Sequence, residues 1–291
     1  MRPPVCSFVL AASIALLWIP ASSLCAQDGS EDQLGKPQLE KWSQYYLQRA
    51  EDYSLQRADD GKPLVLNPKP LMRWTNLVVS SDITHGECFV WTVDGRPEAF
   101  ASLFSYNFNG QRRVAHAWNT FSGHPLIASF AGRSFWTPEA VAGDQRSDIA
   151  KSGAPAETRA KRLIQMRRLA RQFTARSGGT NGDKELELRL LATPLFRYQG
   201  ESDESIDGAL FTFVTGTDPE LLLLIEARQV DATSQWQFTA LRHSHLTLRL
   251  WHDGELVWES LRDNYRNSGV PSGQQPYCSQ HGVDLQPLLL P

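Results

Sequence analysis

The chain has 291 residues, of which 41% are hydrophobic, 21% charged and 10% aromatic, and its formal net charge is −3. This composition is typical of a globular protein, and it excludes collagen, a coiled coil or a disordered chain as the main structure. The slight net acidity gives no reason to expect nucleic acid as a partner. A chain of this length forms one large domain or two small ones.

The first segment of the chain has the three parts of a secretory signal peptide. Arg2 makes its start positive, residues 7–19 are almost entirely apolar, and Pro20 then precedes a run of small residues. We expect cleavage after Ala26, which removes residues 1–26. The mature protein is then exported to the periplasm or to the outside of the cell.

Two other interpretations of this segment are weaker. A lipoprotein signal would attach lipid at Cys25, but the bulky Leu24 stands before it, where such signals carry a small residue. An uncleaved membrane anchor needs about 20 apolar residues, and the apolar run is shorter than that. No later segment is long and apolar enough, so we predict no transmembrane segment in the mature chain.

Residues 27–150 predict one helix followed by an antiparallel β-meander. Between residues 37 and 57, apolar side chains recur in steps of three and four, which is helical spacing. Short apolar runs follow, and Asp94-Gly95 and Asn109-Gly110 separate two pairs of them. Such dipeptides between apolar runs are strong hairpin signals, because they adopt the turn conformation that joins two strands.

Residues 151–267 show the same order of signals. A helical pattern runs from residue 157 to 176 and ends at Gly178 and Gly179, which are natural helix terminators. A series of short apolar runs follows, with Asp253-Gly254 as the last hairpin signal. The remaining residues, 268–291, are rich in Pro, Gly and Gln and form a C-terminal tail.

Two motifs recur in these segments. The residues Pro-Leu-Met-Arg-Trp at 70–74 match Pro-Leu-Phe-Arg-Tyr at 194–198. A Gly, two aromatic residues and a Pro-Glu pair at 86–98 match those at 208–220, with nearly the same separation along the chain. Self-similarity at a fixed period indicates a repeated unit. We therefore predict an α+β fold of two tandem repeats, each one helix followed by an antiparallel β-meander.

Several segments have sequences that resemble those of secreted bacterial proteins with no assigned activity. They are RWTN, FVWTVDGRPEA and GALFTFVTGTDPELLLLIEAR. The resemblance spans most of the mature chain. It implies export, but it implies no reaction, cofactor or site residue.

The chain lacks the short motifs that carry well-known chemistry. It contains no GxSxG, HExxH, P-loop, GxGxxG or EF-hand pattern, and we assign no catalytic residue. We therefore expect a non-catalytic protein of the cell envelope that binds a ligand or a protein partner. The alternatives are an unfamiliar metal-dependent enzyme and a structural scaffold of the envelope.

The best candidate for a metal site is the pair His243 and His245. Residues two apart on a strand point to the same face, so both imidazoles could bind one divalent ion. A third ligand would have to come from elsewhere in the fold, with His116 and His124 as candidates. The alternative is a pair of histidines exposed at the end of a strand.

The candidates for ligand binding are the matched residues of the first motif. These are Arg73, Trp74, Arg197 and Tyr198. An arginine beside an aromatic ring can stack on the ring or bind a carboxylate of a ligand. The alternative is a structural role in which these arginines pair with Glu98 and Glu220. We expect any ligand site to lie between the two repeats, where matched side chains converge.

Two cysteines remain after removal of the signal peptide. They are Cys88, in a predicted strand, and Cys278, in the C-terminal tail. Export places them in an oxidising compartment, where paired cysteines form disulfides. We predict a disulfide between them that ties the tail to the body of the protein.

Overall fold

The computed structural model describes the chain in seven segments, residues 36–76, 84–140, 146–178, 185–200, 205–230, 233–262 and 272–281. The predicted signal peptide, residues 1–26, and most of the predicted tail lie outside these segments. In the described residues, neither helix combines the length and the apolar character that a membrane span requires. Below, residues 36–140 are the N-terminal half and residues 146–262 the C-terminal half.

In its described residues, the N-terminal half has one helix and eight strands. In chain order these are α1 (Lys36–Glu51), β1 (Tyr53–Arg57), β2 (Val65–Leu66), β3 (Met72–Asn76), β4 (Thr84–Val93), β5 (Arg96–Phe108), β6 (Gln111–Thr120), β7 (Leu126–Phe130) and β8 (Arg133–Trp136).

The described part of the C-terminal half has one helix and nine strands, and one further described strand lies in the tail. In chain order these are β9 (Arg146–Asp148), α2 (Arg159–Ala170), β10 (Phe173–Gly178), β11 (Leu186–Leu190), β12 (Phe196–Tyr198), β13 (Ser205–Thr215), β14 (Asp218–Val230), β15 (Thr233–Arg242), β16 (Thr247–His252), β17 (Glu255–Ser260) and β18 (Tyr277–His281). A short 3-10 helix at Ser272–Gln274 precedes β18.

The predicted α+β fold with two helix-plus-meander repeats is wrong. Strands make up 59% of the structure and helices 14%, in three sheets and a half-barrel. A meander pairs each strand with the next one, but β1 pairs with the distant β7, and β10 pairs with β16. The hairpin signals indicate only pairings between neighbouring strands, so the sequence contains no signal for the pairing of β1 with β7 or of β10 with β16.

The sheets follow from these pairings. The first has the order β1-β7-β8, and the second has the order β18-β6-β5-β4-β2 with β3 beside β4. The third has the order β17-β16-β10-β11-β13-β14-β15-β9 with β12 beside β13. β9 pairs with β15 within the C-terminal half, whereas β18, which follows the C-terminal half in the chain, pairs with β6 of the N-terminal half.

Both predicted helices are shorter than expected. The first ends at Glu51, and β1 follows with a buried-exposed alternation. The second ends at Ala170, and β10 alternates in the same way. Apolar residues at Tyr53 and Phe173 continue the helical spacing by chance, but their side chains face the core from strands. Over so few residues, the spacing of apolar side chains in a strand, with a period of two, cannot be told apart from that in a helix, with a period of 3.6.

The two copies of the first motif lie on strands with corresponding partners. β3 pairs with β4 so that Trp74 lies opposite Gly86, and β12 pairs with β13 so that Tyr198 lies opposite Gly208. A Cβ atom at Gly86 would lie 2.9 Å from the Trp74 ring, and one at Gly208 would clash with the Tyr198 ring. Each aromatic ring therefore packs over a glycine, which explains why the glycine recurs.

Three apolar clusters hold the layers together. α1 packs Trp42, Tyr46 and Ala50 against the first two sheets, and α2 packs Met166 and Leu169 against the third. The central cluster joins side chains of the second and third sheets, so these two sheets pack on each other. Its buried members are Trp74, Cys88, Phe100, Phe121, Tyr198, Leu210, Leu222, Leu224 and Leu241.

The predicted disulfide between Cys88 and Cys278 is not formed. Both thiols are free and buried. Cys88 lies on β4 and Cys278 on β18, with β5 and β6 between them, so three strand spacings separate them by about 14 Å. A disulfide requires Cα atoms within about 7 Å. The tail is held instead by the hydrogen bonds between β18 and β6.

Candidate functional site

Two clefts open where the two halves meet. The arginine cleft has a volume of about 570 Å³ and is lined chiefly by Arg57, Arg96, Glu98, His124, Arg146 and Arg228. The acidic cleft has a volume of about 450 Å³ and is lined chiefly by Trp74, Phe104, Asp218, Glu220, His245 and Tyr277. Both volumes are in the range of sites that hold small molecules.

The arginine cleft is organised around the buried carboxylate of Glu226 on β14. Arg96 donates two hydrogen bonds to it, from Nε to Oε1 at 3.0 Å and from Nη2 to Oε2 at 3.3 Å. The Tyr198 hydroxyl donates a further hydrogen bond to Oε1. Guanidinium nitrogens of Arg146 and Arg228 lie 3.9 Å and 3.8 Å from the carboxylate. Three cations therefore surround one anion.

The electrostatics of this cluster favour negative charge. Burial opposes ionisation of Glu226, whose side chain is 1% exposed, but Arg96 and its neighbours lower the pKa of the carboxyl to about 2. Burial also lowers the pKa of the Arg146 guanidinium, and the positive charges of Arg228 and Arg96 add to that effect, against the attraction of Glu226. Arg146 thus lies in a site that already holds more positive charge than one carboxylate offsets.

A second buried carboxylate lies at the other side of this cleft. Glu98 on β5 accepts hydrogen bonds from Arg57, with Nε to Oε2 at 3.0 Å, and from the Ser122 hydroxyl at 3.0 Å. The predicted alternative in which Glu98 pairs with Arg73 is therefore wrong. At the mouth, Lys62 pairs with Asp94 at 2.5 Å.

The acidic cleft has a different chemistry. Asp218 and Glu220, both on β14, lie two residues apart and both line the cleft. Burial, and then the charge of Glu220, raise the pKa of Asp218 to about 8, although Asn76 donates a hydrogen bond to it at 2.9 Å. Burial also raises the pKa of Glu220, against hydrogen bonds from Ser244 and Thr215.

His243 and His245 both line the acidic cleft, but not as predicted. They lie in the bend after β15, so the strand alternation that would align them is absent. His243 is buried, its Nδ1 bonds Asn119, and its ring meets Phe100 edge-on at 5.0 Å. Burial, and then the charge of His245, lower the pKa of His243 to about 3, so it stays neutral.

The predicted third metal ligands do not join this pair. His116 is buried on β6 and bonds the Tyr53 hydroxyl, and His124 lies at the arginine cleft, where its Nδ1 is 2.7 Å from Asp59. Within the described segments, the one cluster with the ligand spacing of a metal site is Asp59, Asp60 and His124. It is exposed, and Asp60 also pairs with Arg57.

The predicted ligand-binding residues are divided between several environments. Trp74 lines the acidic cleft, with its Nε1 donating to the Ser102 hydroxyl at 2.8 Å, and Tyr198 lies beneath the arginine cleft on Glu226. Arg73 pairs with Glu87 at 2.6 Å and Arg197 pairs with Asp207 at 2.8 Å, and neither lines the two clefts. The predicted alternative in which Arg197 pairs with Glu220 is therefore also wrong.

Sequence reasoning missed the residues that give the clefts their charge. Arg96 and Asp218 each precede the Pro-Glu pair of the second motif, so one matched position carries opposite charges in the two halves. This charge reversal at a shared position was a signal in the sequence. Glu226, Arg146 and Arg228 carry no comparable signal, because the folding of the third sheet brings Arg146 to β14, and the packing of the halves brings Arg96 there.

No protein-family model, curated protein or solved structure matches this chain.

Proposed function

We propose that this chain is an exported, non-catalytic binding protein of the cell envelope, and that its arginine cleft holds an anionic group of the ligand. The observation that carries the proposal is the set of four guanidinium groups that line one cleft between the halves. They are Arg57, Arg96, Arg146 and Arg228.

The balance of charge in the cleft favours an anion. Two buried carboxylates, Glu98 and Glu226, face the four guanidinium groups, and Arg57 also pairs with the exposed Asp60, so the guanidinium groups outnumber the buried carboxylates. Arg57 and Arg96 make hydrogen bonds to these carboxylates through two nitrogens each. A buried excess of charge is costly unless it is neutralised, and a bound anion supplies the neutralisation.

Arg146 is the residue that we expect to contact the ligand. Its Nε lies 3.9 Å from Glu226, which exceeds the length of a hydrogen bond, and its side chain is 21% exposed. The guanidinium is planar and carries parallel donors, which suit the paired oxygens of a carboxylate, phosphate or sulfate. These anions are therefore the chemical class that the cleft would take, either free or as the end group of a larger molecule.

Thermal unfolding with a simple oxyanion tests this proposal. Inorganic phosphate should raise the Tm of the wild-type protein above its value in sodium chloride of equal ionic strength. At a phosphate concentration of about 100 times Kd, binding contributes about 2.7 kcal/mol to the free energy of unfolding. In Arg146→Gln, which lacks the donor charge, the effect of phosphate should fall at least fivefold.

Arg73→Gln is the matched control, since it removes an arginine that lies outside both clefts. Its response to phosphate should equal that of the wild-type protein. The proposal fails if phosphate stabilises the wild-type protein no more than chloride does. It also fails if Arg146→Gln and Arg73→Gln respond equally.

A further inference from the structure

We propose that the acidic cleft is a second binding site, which takes a small organic cation, such as a quaternary or protonated amine with apolar carbon around its charge. This site is separate from the arginine cleft, and the inference does not rest on the function proposed above.

Glu220 is buried and Asp218 is half-buried, and both differ from the other buried acids of the described segments. Each of the others pairs with an arginine. The pairs are Glu87 with Arg73, Glu98 with Arg57, Asp207 with Arg162 and Glu226 with Arg96. Within the same segments, no Lys, Arg or His nitrogen lies within 4 Å of the carboxyl oxygens of Asp218 or Glu220.

The hydrogen bonds that these two groups receive do not supply the missing charge. Asn76 donates to Asp218, and Ser244 and Thr215 donate to Glu220, but all three donors are neutral. Glu220 is only 8% exposed, so solvent screens its charge poorly. A cation held between the two carboxylates would complete the pairing that each other buried acid obtains from an arginine.

The walls of the cleft favour an organic cation over a metal ion. Aromatic rings line it next to the carboxyl groups, and the ring centroids of Phe104 and Tyr106 lie 6.0 Å apart. Tyr277 and Trp74 line it as well. The faces of aromatic rings attract cations that have lost part of their water, and ammonium groups with apolar substituents suit this environment best. The one described cluster with metal-ligand spacing lies elsewhere, at residues 59, 60 and 124.

The groups that face the two carboxyls make the binding dependent on pH. They are His243 and His245 from the bend after β15, Tyr277 and His281 from β18, and Tyr106 from β5, with Arg242 hydrogen-bonded to the bend through Ser244 and Leu246. Burial lowers the pKa of His243 and of His281, so these rings are neutral near pH 7. Asp218, whose pKa is raised to about 8, must lose its proton when a cation binds.

Choline and its neutral analogue 3,3-dimethylbutan-1-ol provide the test, by isothermal titration calorimetry of the full chain. Choline should bind, and the alcohol should bind at least tenfold more weakly because it lacks the charge. Because choline keeps its charge at every pH, the loss of one proton from the cleft should make its affinity rise up to about tenfold per pH unit between pH 6 and 8.

Two variants and one control complete the test. Asp218→Asn and Glu220→Gln should each weaken choline binding at least tenfold, and Asp218→Asn should also remove the dependence on pH. Arg146→Gln, in the other cleft, should leave choline binding unchanged.

Three results would overturn the inference. They are no heat of binding with choline at pH 8.5, equal affinity for the neutral alcohol, and competition by calcium chloride that exceeds its effect as a salt. The last result would make the cleft a metal site. Each of these outcomes leaves the phosphate experiment on the arginine cleft unaffected, so the two proposals fail separately.

Discussion

The arginine cleft and the acidic cleft occupy matched places in the two halves but use buried charge in opposite ways. Phe104 lies across from Gly86 between β4 and β5, and Glu226 lies across from Gly208 between β13 and β14. The position opposite the recurring glycine is therefore an aromatic ring, Phe104, in the acidic cleft and the central carboxylate, Glu226, in the arginine cleft. Arg96 and Asp218 show the same reversal before the shared Pro-Glu pair.

The difference between the two clefts shows how neighbouring side chains determine whether a carboxyl group of the fold is ionised. In the arginine cleft each buried carboxylate has a guanidinium partner, and the pKa of Glu226 falls to about 2 despite its burial. In the acidic cleft the carboxyls have neutral donors only, and the pKa of Asp218 rises to about 8. Burial raises the pKa of both groups, so the presence of the cation decides the direction of the shift.

The largest expected effect comes from the same chemical change made in the two clefts. Glu226→Gln leaves Arg96 buried without its anion, and we expect a loss of about 3–5 kcal/mol in the free energy of unfolding. Glu220→Gln replaces a carboxyl that has no cationic partner, and we expect a change below about 1 kcal/mol. Urea denaturation at pH 7 measures both values. Equal losses in the two variants would show that the clefts do not differ in this way.

A smaller effect should appear at Asp218, and its sign should depend on pH. Because the pKa of Asp218 is raised in the folded protein, that state keeps a proton that the unfolded chain releases between about pH 4 and 8. The wild-type protein therefore loses stability as the pH rises through this window.

Asp218→Asn removes that loss, because the amide does not ionise. We expect the variant to match the wild-type protein at pH 4 and to exceed it by about 2 kcal/mol at pH 9, a value well below the full linkage expected for such a shift. Urea denaturation at the two pH values provides the measurement. A variant that is less stable than the wild-type protein at pH 9 would contradict the account of the acidic cleft.

The smallest effects should come from the two matched arginines outside the clefts. Arg197→Met removes one of two cations from the buried Asp207, which keeps Arg162 at 2.9 Å, and we expect a loss of about 1–2 kcal/mol. The Arg73 side chain is 57% exposed, but its partner Glu87 is 3% exposed and has no second cation within 4 Å in the described segments, so Arg73→Met should cost about 2 kcal/mol. A larger loss for Arg197→Met than for Arg73→Met, measured by urea denaturation, would mean that a second cation does not compensate the buried carboxylate.

Local parts of the fold could be predicted from the sequence. The Asp-Gly and Asn-Gly pairs mark the turns between β4 and β5, β5 and β6, and β16 and β17, and the residues Asp94, Asn109 and Asp253 have positive φ there. The glycines that recur at 86 and 208 are explained by the rings above them. The pairing of β1 with β7 could not be predicted, because it depends on chain closure over a long segment.

The candidate site was predicted in part, for a related reason. Trp74 and His243 carry local signals, and both line the acidic cleft. The ion pair between Arg96 and Glu226 joins residues from different halves, so no window of the sequence contains it. The charge reversal between Arg96 and Asp218 was visible, but its meaning depends on knowing that both positions face a cleft.

The placement of β18 makes the N-terminal half dependent on the last described strand of the chain. This strand follows the C-terminal half in sequence but pairs with β6 of the N-terminal half. Without β18, β6 would be an edge strand that exposes its backbone donors and acceptors, which is a template for aggregation. Tyr277 and His281 of β18 also line the acidic cleft. The pairing of β18 with β6 therefore holds one wall of that cleft in place.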